Sequence, residues 1–264
     1  MNLEEFVTFY NSPTTEESNR AKAEFGRQQS ASKKLASWLH SLVVRELDKQ
    51  SNLISRSDHF YSSDLQGERF FAFLTPVSLK KPERLAAKLQ EIRNSKPNLA
   101  NDDWWWHAKD LARFRIVTAN LSDLILQRDL IANIICNSQD PERLFLRDAV
   151  RDYIWTEPNE RHNASKSIHF RICDSRRTII EIQIMTLLQY SWDQIQHWLY
   201  EIQRASSNPL SGLSKNIERS YWALSNSLFV LDEYIVSLDN RDPRSVCADI
   251  PQDLTPHLIL NSKQ

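Results

Sequence analysis

The 264 residues carry 33 lysines and arginines against 34 aspartates and glutamates, for a formal net charge of −1, with 41% hydrophobic and 25% charged content. That balance describes a globular chain able to bury a sizeable core, and it excludes a globally basic nucleic-acid binder while leaving room for a local basic patch. No stretch approaches the ~20 apolar residues of a membrane span, and the acidic start MNLEEFVTFY lacks a basic segment before an apolar run, so a cytoplasmic protein without membrane contact is expected.

In chain order, residues 1–14 read as a short helix or ordered arm, and Thr14 to Asp48 as a long helix with Ala21, Phe25, Leu35, Leu39 and Val43 on one face. Residues 51–66 are polar, Gly67-Glu68 is a turn, and Arg69 to Thr75 is a strand. Pro82 opens a helix over Glu83 to Arg93. Trp104, Trp105 and Trp106 follow in a loop or short helix, where one or two serve as core anchors or the group forms a base-stacking platform. Leu111 to Thr118 is a strand, Leu121 to Asn137 a helix capped by Asn120 or Ser122, and a further strand lies near Ala149 to Ile154. Cys136, Cys173 and Cys247 are far apart and form no CxxC pair, which suits a reducing compartment and shows no thiolate metal site. Gly26, Gly67 and Gly212 build no glycine-rich loop, so any phosphate must be held by side chains.

The most informative stretch is Asn163 to His197. Lys166 to Cys173 and Thr178 to Ile184 form a hairpin through the turn Asp174-Ser175-Arg176-Arg177. Strand alternation puts Ile180, Ile182 and Ile184 on one face and Glu181 and Gln183 on the other. By pattern alone that polar face belongs in water. A helix beginning at Leu187 follows, then a break at 206–211, a long helix over Leu213 to Leu238, and a polar tail that packs back through Leu258 to Leu260 or stays loose. The expected fold is α+β: a mixed sheet of about five strands flanked by helices, with residues 1–66 a helical extension, 67–205 the main domain and 206–264 a C-terminal helix and tail.

EIQIMT, followed by Trp192 and His197, resembles the EIQIRT…W…H block of the RelA/SpoT alarmone synthetases, whose domain is nucleotidyltransferase-like. Asn163-Ala164-Ser165-Lys166-Ser167-Ile168-His169 resembles their NGYxSIH loop, and Asp152-Tyr153-Ile154 the preceding DYI. Upstream, Asp110-Leu111-Ala112-Arg113-Phe114-Arg115-Ile116-Val117 resembles DIxGIRVV. Ser78 to Leu89 resembles RxKxxxSxxxKL, with Lys80 and Lys88 on its two lysines. The chain departs from these patterns at Ser78 for arginine, Arg84 for serine, Arg113 for a small residue, Ala164 for glycine, Ser165 for the tyrosine that stacks guanine, and Met185 for arginine. The resemblance spans about Lys80 to His197. A RelA/SpoT hydrolase half would need a His-Asp domain for which there is no room upstream.

The resemblance implies transfer of pyrophosphate from ATP to the 3′-hydroxyl of a guanine or adenine nucleotide, or of a tRNA 3′ end as in toxin members. It assigns Asp110 and Glu181 to catalysis and to Mg²⁺. Lys80, Arg84, Lys88 and Arg115 fall to the ATP phosphates, and Tyr153, Asn163, Lys166, His169 and His197 to the acceptor. An antitoxin protein or a second copy of the chain are the implied macromolecular partners. The substitutions leave open a second class, a degenerate nucleotide-binding or regulatory module. If Asp110 and Glu181 serve one metal, they must open on one cleft, with Lys80, Arg84, Lys88, Arg115 and Lys166 lining it.

Overall fold

The structure, a computed structural model, describes residues 1–12, 15–49, 72–99, 101–108, 110–139, 143–154, 166–205 and 213–238. The expectations for 51–66, the turn at 67–68, the loop at 156–163 with Asn163 to Ser165, the break at 206–211 and the tail lie outside these residues. Helix α1 (Leu3–Tyr10) and the 35-residue α2 (Thr15–Lys49) precede β1 (Ala72–Leu74), β2 (Ser78–Leu79) and α3 (Pro82–Ser95). After a 3-10 turn at Pro97–Leu99 come α4 (Trp104–His107), β3 (Ala112–Thr118), α5 (Leu121–Cys136), β4 (Leu144–Leu146) and β5 (Arg151–Asp152). The hairpin β6 (Ile168–Asp174) and β7 (Ile179–Thr186) leads into α6 (Leu187–Ala205) and α7 (Leu213–Leu238).

The strands form one sheet of order β1-β3-β7-β6-β4. The expected five strands become seven, because β2 shares an edge of β3 with β1 and β5 shares an edge of β6 with β4. β2 has two residues and β4 three, too few for a period-2 pattern to register. Only β3 and β7 run parallel, with Arg113 opposite Glu181 and Arg115 opposite Gln183. In β6, Arg171 lies opposite Glu181 and His169 opposite Gln183.

Alternation then sorts the sheet into two faces. Phe114, Ile116, Phe170, Ile172, Ile180, Ile182 and Ile184 face a core completed by α2 and α5. Each such side chain contributes about 1.5–3 kcal/mol of burial. The other face carries Arg113, Arg115, His169, Arg171, Glu181 and Gln183. It is not open to water as the pattern suggested: every residue of β7 is buried, and Glu181 is only 5% exposed. A second cluster, of Leu3, Phe6, Val7, Ala21, Phe25, Leu85, Leu89, Trp104, Ala108 and Leu111, joins α1, α2, α3 and α4. The helices expected as an N-terminal extension are therefore part of both cores. Among the described residues, no helix is long and apolar enough to cross a membrane.

Local chemistry fixes the ends of these elements. Asn2 and Glu5 form a reciprocal capping box on α1. Asn120, not Ser122, caps α5 by accepting from the Asp123 amide. In the β6–β7 turn, Asp174 Oδ1 accepts from the amides of Arg176 and Thr178, with Arg177 in the left-handed region at φ 62°.

α7 meets the sheet through a polar contact. Thr186 Oγ1, at the end of β7, donates to Asp232 Oδ2 at 2.6 Å, and Asp232 is fully buried. Burial pushes its carboxyl up to about 7, opposed by the Thr186 hydrogen bond. The folded state thus binds this proton more tightly than the unfolded chain. Between the ordinary aspartate value near 4 and about 7, stability falls as pH rises, and above 7 the loss is complete. Replacing Asp232→Asn should raise the thermal midpoint at pH 8, and the gain should shrink towards pH 4. Melting curves of both proteins across that range check this.

Candidate active site

The polar face is organised around Glu181 in mid-strand. Its Oε2 accepts from Gln183 Nε2 at 3.0 Å. Its Oε1 lies 3.4 Å from His169 Nδ1 and 3.5 Å from Arg171 Nε. Burial alone would raise its pKa. The His169 hydrogen bond and charge, Arg171 and Arg113 overcome that and hold the carboxyl well below its ordinary range. Glu181 is thus an ionised buried carboxylate.

Each of these neighbours is itself positioned. His169 Nε2 pairs with Ser167 Oγ at 2.8 Å, and the ring meets Tyr153 edge-on at 5.1 Å. Arg151 Nη1 donates to the Tyr153 hydroxyl. Arg171 Nη1 donates to Asp148 Oδ2 at 2.8 Å, and Arg147 reaches the same oxygen at 3.3 Å. The face continues through Arg147 to Trp106, whose ring lies 4.7 Å from the Arg147 guanidinium and 4.5 Å from that of Arg177.

On the other side, Arg115 is clamped. Its Nε donates to Gln183 Oε1 at 2.9 Å and its Nη2 to Asp193 Oδ2 at 2.8 Å, with the Tyr190 ring 5.8 Å away. Asp110 precedes β3. Its Oδ2 accepts from Lys80 Nζ at 2.5 Å, and Lys88 Nζ stands 3.9 Å from Oδ1. Gln29 of α2 donates to the Lys80 carbonyl, fixing the start of that segment. Burial lowers the Lys80 pKa, with Asp110 opposing.

Of the residues singled out in the sequence, the structure gathers Glu181, Gln183, His169, Tyr153 and Arg115 on one face, and Lys80, Lys88 and Asp110 at the N-terminal end of β3. Arg84 is half-buried on the first turn of α3. His197 falls within α6, and Asn163 lies outside the described residues. Lys166 is a correction. It is 6% exposed, donates to the Ile154 carbonyl at 3.2 Å and lies 4.8 Å from the Phe229 ring of α7. Its number has the parity of Ile168 and Phe170, the core face, so it does not line a cleft with Lys80 and Arg115. Trp104 is a core anchor, as expected for one or two of the three tryptophans: it is fully buried and stacks on Phe6 at 4.1 Å. Arg171 and Asp148 were missed, although alternation along β6 sets Arg171 beside His169.

A divalent cation fits one end of this site. Asp110 Oδ1 is buried and accepts no hydrogen bond among the described residues, as a carboxylate awaiting a ligand would. Among those residues no group of three or more histidine, cysteine or acidic side chains could hold a metal.

No protein-family model matches this sequence, and no curated protein does. Solved structures do match in fold, which is that of the small alarmone synthetases. Small alarmone synthetase 2 from Bacillus subtilis superposes with a TM-score of 0.56 at 18% identity, over 82% of this chain and 98% of that one. Small alarmone synthetase 1 from the same organism, bound to its product pppGpp, superposes with a TM-score of 0.54 at 17% identity, over 84% of this chain and 96% of that one.

Replacing Glu181→Gln should leave His169 and Arg171 facing a neutral amide. Arg171 keeps Asp148, so the cost should lie near the low end for breaking a buried pair, about 3 kcal/mol, read by urea unfolding. The lowered pKa adds a signature. Its stabilisation is present above the ordinary glutamate value and is lost as pH falls below it, so the two proteins should converge in stability in acid.

Proposed function

We propose that this chain is a RelA/SpoT-type pyrophosphokinase, moving pyrophosphate from ATP to the 3′-hydroxyl of a nucleotide or of a tRNA 3′ end. The observation that carries the reading is the buried, ionised Glu181 set between Arg113 of the parallel strand and Arg171 of the antiparallel one, with Asp110 before the start of β3. Phosphoryl-type transfer needs little beyond positioning and charge stabilisation, and such a wall supplies both. The likeness of fold to small alarmone synthetases supports it.

In this reading Lys80, Arg84, Lys88 and Arg115 hold the donor phosphates. Asp110 and Glu181 would hold Mg²⁺, which neutralises phosphate charge when bound. The acceptor lies towards Tyr153 and His169, with Asn163 and His197 as further contacts. Glu181 is too weak a base to take a full proton readily, since its neighbours favour the ionised form. It accepts a hydrogen bond from the acceptor hydroxyl and fixes its direction. His169, in contact with Glu181 and Ser167, fixes the direction of that carboxylate.

The acceptor differs from that of an ordinary alarmone synthetase. Ser165 has no π-face, so stacking worth roughly 1–3 kcal/mol per base cannot come from that position. GDP and GTP should be poor acceptors, and adenine nucleotides or deacylated tRNA better ones, since a large acceptor draws binding energy from remote surfaces. The measurement is transfer from γ-labelled ATP with Mg²⁺ to GDP, GTP, AMP, ADP, ATP and tRNA in competition. Fast saturable labelling of GDP alone would defeat the acceptor reading. Binding of ATP with no labelling of any acceptor would instead identify a degenerate binding module.

A further inference from the structure

Arg113 lies on the polar face of β3, opposite Glu181. Among the described residues its guanidinium makes no hydrogen bond and no ion pair, whereas Arg115 is clamped by Gln183 and Asp193 and Lys80 by Asp110. It is only half-exposed. It stands directly opposite Glu181 on one side and Ser78 on the other. Its charge acts unfavourably on both Lys80 and Arg115. Glu181 compensates only in part: Arg113 helps to hold it ionised, but after His169 and Arg171, which contact that carboxylate. Lys80 and Arg115 are paired with Asp110 and Asp193, whereas Arg113 shares Glu181 with two other cations. A further anion beside Arg113 is therefore electrostatically favoured.

We propose that Arg113 is a polyphosphate-binding residue, holding the donor's phosphate chain between Lys80 and Arg115 and beside Glu181. The identity of the donor rests on the pyrophosphokinase reading; the polyphosphate chemistry rests on the unpaired guanidinium itself. A planar guanidinium with free N–H groups suits phosphate oxygens in paired hydrogen bonds. The short side chain of Ser78 opposite leaves that flank of Arg113 open, and its hydroxyl is turned to the Arg113 carbonyl at 3.2 Å. The arginine that the motif resemblance places at position 78 is therefore present one strand over, at a position where the resemblance has a small residue. The two strands exchange a charge across one register pair.

The test is calorimetric titration of the full chain with inorganic tripolyphosphate, and separately with ATP, for the wild type, Arg113→Gln and Arg113→Lys. Arg113→Gln should weaken tripolyphosphate binding about tenfold, the scale of one charge-assisted hydrogen-bonding group, and flatten its dependence on salt. Arg113→Lys should recover part of the loss. Without ligand, Arg113→Gln should melt at the wild-type temperature or above it, because repulsion with Lys80 and Arg115 is relieved. Unchanged tripolyphosphate affinity would overturn the proposal. So would a melting temperature lowered by several degrees, which would make Arg113 a structural counterion of Glu181. Arg113-dependent binding of tripolyphosphate without any binding of ATP would support the phosphate site and overturn the pyrophosphokinase reading. Failure of the wild type to bind either ligand would overturn both.

Discussion

A carboxylate in the middle of a sheet, out of reach of water, survives ionised only if its neighbours are chosen for it. Glu181 sets that requirement, and His169 and Arg171 on β6 and Arg113 on β3 answer it. Those side chains need partners in turn, which brings in Ser167, Tyr153 and Asp148. The apolar face of the same three strands can be filled by any well-packed set of isoleucines and phenylalanines. The polar face is less free, because replacing Glu181 or a residue that contacts it strands a charge. The alternating pattern of the hairpin is thus two constraints of different strictness written on one ladder.

The sheet divides along β7 into two chemical halves. Towards β3 and β2 stand Lys80, Arg113 and Arg115 with Asp110, a largely cationic strip. Towards β6 and β5 stand His169, Tyr153 and Arg151, with Arg171 held by Asp148. Glu181 is the member common to both. In the proposed reading the first half would take the donor's phosphate chain and the second the acceptor.

Much of the fold was legible because the period of two in β7 and the helical stripe of α2 are long enough to be read. That Lys80 and Lys88 fall beside Asp110 accords with the motif order. The failures have separate causes. β2 and β4 are set by neighbours rather than by their own pattern, so tertiary pairing alone defines them. Lys166 was assigned by its place in a motif, while its parity with Ile168 pointed to the other face. The three adjacent tryptophans could not be apportioned from sequence, because one turn of helix sends them in different directions: Trp104 into the core, Trp106 under two arginines. The burial of the polar face could not be read at all, since alternation tells which side a residue takes and not what covers it.

The helix α2 places Ala21 and Phe25 in the smaller hydrophobic cluster and Ala36, Leu39, Val43 and Leu47 in the larger. At 1.5 Å per residue it is a rod about 50 Å long, spliced into two cores that otherwise share few elements. Neither core can open without cracking or releasing that rod, so slow amide exchange should run unbroken along it and couple the two clusters into one cooperative unit. Gln29, which holds the Lys80 carbonyl, lies between the two anchored segments. Any shear of one cluster against the other is therefore delivered as a displacement of the backbone that aims Lys80.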